Sequence, residues 1–258
     1  MPNLDITIPG APVWMELATS DVDASIAFYE ALFGWTHTVS GSDANAYVNF
    51  FLNNRHVAGL MAKDPSTGMP DAWLTYLLTD DANDTARRVP ASGGQLYFND
   101  EAGDNGVMVI SSDPSGAPIA AWQKGTHRGF GVVNEANAPV WHELHTSAYA
   151  ATVPFYQHVF DWTLQELSNT DEFRMVVFAP AGQDPVAGIY DSSTAHDDLD
   201  AQGSHWLNYI GVGNADAAAE RITELGGRML ESVTDSAYGR NARAVDVTGA
   251  PFAISEVR

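Results

Sequence analysis

Hydrophobic and polar positions along the chain follow two periods, which together predict one helix among several short strands. Residues 22–33 and 82–91 place apolar side chains at helical spacing, whereas the segments around them alternate or form short β-branched runs. The predicted strands lie near 13–19, 35–40, 46–52 and 56–62 in a first module and near 72–79, 95–99, 107–112 and 117–122 in a second. One helix for every three or four strands predicts an α+β fold with helices on one sheet face.

The chain then repeats itself. The segment "APVWMEL" at 11–17 returns as "APVWHEL" at 138–144, and "DVDASIAFYEALFGW" at 21–35 matches "AYAATVPFYQHVFDW" at 148–162. Because the matching segments keep their order, the chain is a tandem duplication, and each copy is too long for a solenoid repeat. We expect two domains with two modules each and a linker between them: 1–124 (modules 11–63 and 72–122), 125–137, and 138–258 (modules 138–192 and 204–257).

Charge and composition exclude several partners. The formal charge is −21, and only Lys63 and Lys124 among the twelve Lys and Arg residues are lysines. Such a surface repels nucleic acid and anionic lipid, so we expect neither as a partner. The N-terminal residues lack the features of a signal peptide, and no apolar run is long enough to span a bilayer, so we expect a cytoplasmic protein. We expect it to be a monomer or a homodimer. Without cysteine, thiol chemistry is excluded.

Each copy of the repeated strand carries a glutamate within an apolar run. Strand alternation places Trp14 and Glu16 on one face, and Trp141, Glu143 and His145 on the corresponding face of the second copy. Two interpretations stay open. The carboxylates brace the modules by accepting hydrogen bonds, or they orient a ligand or act as general bases, because burial raises the pKa of a carboxyl group.

The motif "D-x-x-x-S-I-x-F-Y-x-x-L-F-G-W" at 21–35, together with "D-P-S-G-A-P-I" at 113–119, resembles the vicinal oxygen chelate superfamily. That group includes glyoxalase I, bleomycin-resistance proteins and extradiol dioxygenases, and the chain looks most like its two-domain glyoxalase-like members. The resemblance implies four βαβββ modules that form two cup-shaped mixed sheets, with helices on the outer face. It also implies a small-molecule site inside a cup.

The resemblance places the family's metal ligands at positions that cannot bind a metal here. The first-strand ligand position corresponds to Trp14 and Trp141, and the position after the D-x-x-G turn corresponds to Ala120 and Ala253. Indole and methyl groups do not coordinate divalent ions. The other histidines lack metal-ligand spacing, so we predict no metal and no other cofactor.

Aromatic residues and the two glutamates are therefore the candidate site. We take Glu16 and Glu143 as candidate catalytic residues; the candidate ligand-binding residues are Trp14, Trp141, His145, Tyr76 and Tyr209. His145 differs from its counterpart Ala18, so it marks a place where the two copies could differ in function. The leading interpretation is binding of a small organic molecule. The alternatives are a glyoxalase-type lyase or isomerase with Glu16 or Glu143 as base, and a structural or interaction protein with filled cups.

Overall fold

The computed structural model describes residues 4–41, 46–193, 203–236 and 239–257. In the first half the elements are β1 (Pro12–Thr19), α1 (Val22–Phe33), β2 (Thr36–Ser40), β3 (Tyr47–Leu52), β4 (Arg55–Ala62), β5 (Ala72–Leu78), α2 (Ala82–Ala91), β6 (Gln95–Glu101), β7 (Gly106–Ser112) and β8 (Pro118–Lys124). In the second half they are β9 (Pro139–Thr146), α3 (Tyr149–Val159), β10 (Leu164–Asn169), β11 (Arg174–Phe178), β12 (Ala187–Asp191), β13 (His205–Val212), α4 (Ala215–Glu224), β14 (Arg228–Met229), β15 (Thr234–Ser236), β16 (Gly239–Val245) and β17 (Pro251–Glu256). Across these ranges, no helix is long and apolar enough to cross a membrane.

Each half forms one mixed sheet. The first sheet has the order β2-β3-β4-β1-β5-β8-β7-β6, and β1 and β5 pair antiparallel at its centre. The second sheet repeats the order as β10-β11-β12-β9-β13-β17-β16-β14, with β15 also paired to β16. The two modules of each half therefore complete a single sheet. The α+β fold and the tandem duplication predicted from the sequence are confirmed.

Side-chain caps explain where three of the four helices described here begin. The Asp21 side chain accepts from the Ala24 backbone N–H at 3.0 Å, and Asp81 and Asn214 cap α2 and α4 in the same way. Gly34 ends α1 with a φ of 67°, a left-handed conformation that favours glycine. The observed bounds of α1 and α2 equal the predicted ones, while each of the eight strands predicted in the first half differs at one or both ends by one or two residues.

The helices lie on the sheet faces opposite the cups, and these two faces meet each other inside the molecule. Helix α1 packs between the sheets: the Phe28 ring lies 6.1 Å from Phe252 of the second sheet, and the Tyr29 ring lies 5.3 Å from Trp73 of the first. At the centre, the Thr75 hydroxyl donates to Asn208 Oδ1 across 3.0 Å. The buried core is thus shared by both halves, and each sheet turns its other face outward.

Two reciprocal hydrogen bonds connect the halves. The Tyr29 hydroxyl donates to Asp246 Oδ2 at 3.0 Å, and the hydroxyl of its counterpart Tyr156 donates to Asp113 Oδ2 at 3.1 Å. Each tyrosine oxygen also accepts from a tryptophan of its own half, Trp73 or Trp206, at 3.0 Å. Burial raises the pKa of both tyrosines well above the ordinary value, so both remain protonated donors.

The segment 125–137 between the sheets contains no helix or strand but is packed rather than free. Phe130 is 1% exposed and packs 5.7 Å from Trp14. The Asn137 carbonyl accepts from Trp35 Nε1 at 2.7 Å, and its counterpart, the Gly10 carbonyl, accepts from Trp162 Nε1 at 2.9 Å. The segment is therefore part of the contact between the halves.

Replacing Tyr29 or Tyr156 by Phe should destabilise the whole protein. Each change leaves a buried aspartate oxygen and a tryptophan N–H without the tyrosine hydroxyl, which typically costs about 1–3 kcal/mol. Urea unfolding measures the loss. Tyr97→Phe is the control, because the Tyr97 side chain is 57% exposed and its hydroxyl contacts Ser112. If Tyr29→Phe and Tyr156→Phe lose no more stability than this control, the reciprocal bonds do not hold the halves together.

Candidate functional site

The first cup is the helix-free face of the first sheet, lined by Trp14, Glu16, Tyr47, Gly59 and Tyr76. The Tyr76 hydroxyl donates to Glu16 Oε1 at 3.1 Å, and Tyr47 is hydrogen bonded to the same carboxylate. The Trp14 indole N–H donates to the Tyr47 oxygen at 3.0 Å. Glu16 thus lies beneath a phenol that comes from its own chain.

Glycine at position 59 makes room for that phenol. A Cβ there would lie 2.7 Å from Tyr47 Cζ and would collide with the Tyr47 hydroxyl. The ring of Tyr47 therefore crosses the sheet directly above the Gly59 backbone. This close approach explains the glycine of the repeated "VAG" segment at 57–59.

Other aromatic side chains fill the rest of the first cup. The His127 ring lies 4.5 Å from the Trp14 ring, and the His127 carbonyl accepts from Trp122 Nε1 at 3.0 Å. Burial, followed by the nearby His56, lowers the pKa of His127 to about 4, so its ring is neutral near pH 7. Trp14 and Tyr76 are 3% and 2% exposed. The aromatic walls of the first cup are therefore buried, while Glu16, Tyr47 and His127 keep partial exposure.

The second cup is the helix-free face of the second sheet, lined by Trp141, Glu143, His145, Gly188 and Tyr209. Three side chains of this face converge on the Glu143 carboxylate. Trp141 Nε1 donates to Oε2 at 3.0 Å, His145 Nε2 lies 2.9 Å from Oε1, and the Tyr209 hydroxyl donates to Oε1 at 3.3 Å. The predicted faces of these residues agree with their contacts, and their roles remain predictions.

The second cup is more open than the first. Met175 occupies the strand position of Tyr47, and Ser255 occupies that of Trp122. Trp141 and Tyr209 are partly exposed, whereas their counterparts Trp14 and Tyr76 are buried. On the same face, beyond Ala253, Arg243 forms a 2.7 Å salt bridge with Glu231. The second cup thus combines polar groups with accessible aromatic surface.

The two glutamates have opposite electrostatics. Burial raises the pKa of Glu16 above its ordinary value, and the hydroxyls of Tyr47 and Tyr76 offset this only in part. Burial also acts on Glu143, but the hydrogen bond and the charge of His145, with Trp141 and Tyr209, bring its pKa below the ordinary value. Glu143 is therefore ionised near neutral pH and acts as a hydrogen-bond acceptor.

The four positions that correspond to family metal ligands do meet in the two cups. Trp14 pairs with Tyr76, which pairs with Ala120, and Trp141 pairs with Tyr209, which pairs with Ala253. Indole and methyl side chains supply no ligand atom, so these positions do not fit a divalent ion. Within the described ranges, no group of three or more His, Cys, Asp or Glu side chains is placed to hold a metal.

A surface cleft of about 300 Å³ lies away from both cups, between residues 4–12 and strand β9. His142 lines it from the helix side of the sheet, where its Nδ1 is 2.6 Å from Asn208 Oδ1. Burial lowers the pKa of His142 to about 4, so this histidine is neutral near pH 7. Its partner Asn208 also accepts from Thr75 of the first half, so His142 is part of the packing where the halves meet.

Sequence comparison decides the family. The pattern of the Glyoxalase/Bleomycin resistance protein/Dioxygenase superfamily matches residues 11–121 and again residues 138–252. The chain belongs to this superfamily. The resemblance seen in the motifs at 21–35 and 113–119 is thereby confirmed.

Individual superfamily members match along nearly the whole chain. The anthracycline biosynthesis protein DnrV of Streptomyces peucetius is 34% identical, over 97% of this chain and 94% of that protein. Among solved structures, the Mn(II)-bound glyoxalase from Novosphingobium aromaticivorans has a TM-score of 0.65 at 15% identity, over 97% of this chain and 83% of that one. The 2,3-dioxygenase LapB from Pseudomonas sp. KL28 has a TM-score of 0.65 at 16% identity, over 97% and 93%. These structures share the fold.

Sequence reasoning missed Tyr47, Met175 and Arg243. The first two occupy the same strand position in the two halves, so the signal was a difference between copies, as it was for His145 and Ala18. Arg243 has Ile110 as its counterpart in the first sheet, where each pairs with an alanine of the neighbouring strand. Differences between the copies, more than their shared residues, point to the second cup.

Replacing each glutamate by Gln should change stability with opposite pH dependence. Because the pKa of Glu16 is raised in the folded state, its protonated carboxyl group stabilises the fold fully below about pH 4.5, and this contribution is lost as the pH rises. The stability of Glu16→Gln relative to wild type should therefore increase toward pH 8. The lowered pKa of Glu143 means that its effect is present above about pH 4.5 and is lost as the pH falls. At pH 8, Glu143→Gln should lose about 1.5–3 kcal/mol.

Melting temperatures of both variants and wild type between pH 4 and pH 8 measure this difference. Each variant is the matched control for the other, since the positions correspond in the two halves. Parallel pH profiles for the two variants would show that the carboxylates have the same environment.

Proposed function

We propose that the second cup binds a small organic molecule and that the first cup is structural. The observation that carries this is the contrast around the two glutamates. In the first cup, Tyr47 hydrogen bonds to Glu16 and the aromatic walls Trp14 and Tyr76 are buried. In the second cup, the walls Trp141 and Tyr209 remain partly exposed beside Glu143. An apolar concave surface with a few convergent polar groups is the usual composition of a small-molecule site.

The hydrogen bonds of Glu143 support the proposal. An ionised carboxylate has about four acceptor sites, and three donors reach Glu143. Glu143 therefore has acceptor capacity for a donor group of a ligand. The name of the relative DnrV, an anthracycline biosynthesis protein, is consistent with an organic ligand.

We also propose that the site works without the divalent metal found in the Mn(II)-bound glyoxalase. In the second cup, Trp141 and Ala253 occupy the positions that correspond to metal ligands, and neither side chain offers a lone pair suited to a hard ion. The orienting charge in the cup is instead that of Glu143.

A second candidate function is proton transfer in a glyoxalase-type lyase or isomerase. The favouring observation is the 2.9 Å contact between His145 Nε2 and Glu143 Oε1, which resembles a base held by an orienting carboxylate. A carboxylate with a lowered pKa is a weak base, so His145 would move the proton and Glu143 would orient it. Glu16 is a poorer candidate, because Ala18 stands in the first cup where His145 stands in the second.

Ligands found by a thermal-shift screen of aromatic and carbonyl compounds should bind through Glu143. Loss of the charged acceptor typically costs about 1.5–3 kcal/mol, so Glu143→Gln should weaken their affinity by about tenfold or more in calorimetric titrations. Glu16→Gln, the matched control, should leave the affinity unchanged. Binding should also persist in EDTA, with no stoichiometric metal in elemental analysis.

Ligands that respond to Glu16→Gln but not to Glu143→Gln would contradict the assignment of the site to the second cup. Binding that is lost in EDTA and restored by a divalent ion would contradict the metal-free proposal.

The proton-transfer candidate predicts solvent deuterium exchange at an acidic C–H of a bound carbonyl ligand. His145→Gln should abolish this exchange while retaining the ligand, because an amide does not accept the proton. NMR measures the exchange rate, and His205→Gln is the control at the neighbouring ring, 5.0 Å from His145. Exchange that is absent in wild type, or equal in the His145 variant, would eliminate this candidate.

A further inference from the structure

The side-chain phenol of Tyr47 lies in the first cup, in the way a ligand would. Its hydroxyl accepts from Trp14 Nε1 at 3.0 Å and is hydrogen bonded to the carboxylate of Glu16. Its ring lies above the backbone of Gly59, where a Cβ would collide with it. Indole donor, carboxylate acceptor and bare glycine together form the cradle of a hydroxylated aromatic ring.

The second cup keeps the same cradle without the phenol. Trp141, Glu143 and Gly188 are the counterparts of Trp14, Glu16 and Gly59. A Cβ at Gly188 would lie 2.9 Å from Trp141 Cζ2, so the indole again lies close to the bare backbone. What differs is the side chain above the glycine, because Met175 stands where Tyr47 stands in the first half.

The flexible side chain of Met175 fills the space above Gly188. Its terminal methyl is so close to Gly188 that an added Cβ would collide with it, which puts that methyl where the Tyr47 ring lies in the first cup. Methionine is unbranched, has three rotatable bonds and contacts aromatic rings favourably. Rotation of the side chain would make room above Gly188 for one aromatic ring.

The second cup has a donor and an acceptor where the first cup holds the Tyr47 hydroxyl. In the first cup, the Tyr47 oxygen lies between the indole N–H and the carboxylate. In the second cup, Trp141 Nε1 donates directly to Glu143 Oε2 at 3.0 Å. A ligand hydroxyl placed between them would accept from the indole and donate to the carboxylate, as Tyr47 does.

We infer that the second cup takes a neutral hydroxyaromatic molecule, bound with its ring above Gly188 beside Trp141 and its hydroxyl between Trp141 Nε1 and Glu143. This inference deepens the proposed function and rests on it. Carboxylate and phosphate ligands are disfavoured, because they would face an anionic Glu143 within a chain of formal charge −21. A phenol, with an ordinary pKa of about 10, is neutral and able to donate at pH 7.

Two probes separate the hydroxyl from the ring in titrations of the full chain. We expect 2-naphthol to bind at least about tenfold more tightly than 2-methoxynaphthalene, which has the same ring system but no donor, a difference of about 1.4 kcal/mol. Met175→Tyr should reproduce the first cup and abolish 2-naphthol binding. Met61→Tyr is the control, because it adds a tyrosine beside the first cup and should leave binding unchanged.

The reverse variant keeps the inference testable if Met175→Tyr does not fold. Tyr47→Met gives the first cup the methionine of the second, and it should raise the 2-naphthol stoichiometry from one site to two. Equal affinity for the two probes, or unchanged 2-naphthol binding in folded Met175→Tyr, would overturn the inference. So would a Tyr47→Met variant that gains no site.

Failure of the inference is distinguishable from failure of the proposed function. If neither naphthalene probe binds but a compound from the thermal-shift screen binds in a Glu143-dependent way, the ligand class is wrong and the proposed function stands. If no compound binds at all, both are wrong.

Discussion

A buried tyrosine hydroxyl from each half donates to an aspartate of the other half, and the arrangement of the molecule depends on these two bonds. Tyr29 reaches Asp246 and Tyr156 reaches Asp113, so helices α1 and α3 are held between the two sheets. Because these contacts turn the helical faces inward, the two cups open on outward faces. Each cup is therefore built from one sheet, and a change in one cup need not disturb the other.

The two cups provide different hydrogen-bond partners for the corresponding glutamates, Glu16 and Glu143. In the first, Tyr47 and Tyr76 hydrogen bond to Glu16, but burial outweighs these hydrogen bonds and the pKa of Glu16 is raised. In the second, His145 adds a partner that the first lacks, and the pKa of Glu143 is lowered. The exchange of Tyr47 for Met175 and of Ala18 for His145 turns a packed cup into a polar, accessible one. We regard this difference between the duplicated halves as the origin of the proposed site.

Local patterns predicted much of the fold. Apolar spacing and capping residues predicted α1 and α2 at their observed bounds, and strand alternation placed Trp14 with Glu16 and Trp141 with Glu143. Contacts between distant segments could not be predicted in this way. The crossing of Tyr47 over Gly59 depends on the pairing of β3 with β4, and the packing of 125–137 depends on how the halves meet. Trp14 and Ala120 lie on strands that both pair with β5, as strand register requires, whereas the proposed ligand class needed the comparison of the two cups in three dimensions.

A crystal structure of the protein grown with 2-naphthol tests the central claim, that the second cup is the ligand site and the first is structural. The account predicts density for one naphthol ring above Gly188, with its oxygen within hydrogen-bonding distance of Trp141 Nε1 and Glu143, a rotated Met175 side chain and an unchanged Tyr47. Density in the first cup with Tyr47 displaced, while the second cup stays empty, would contradict it.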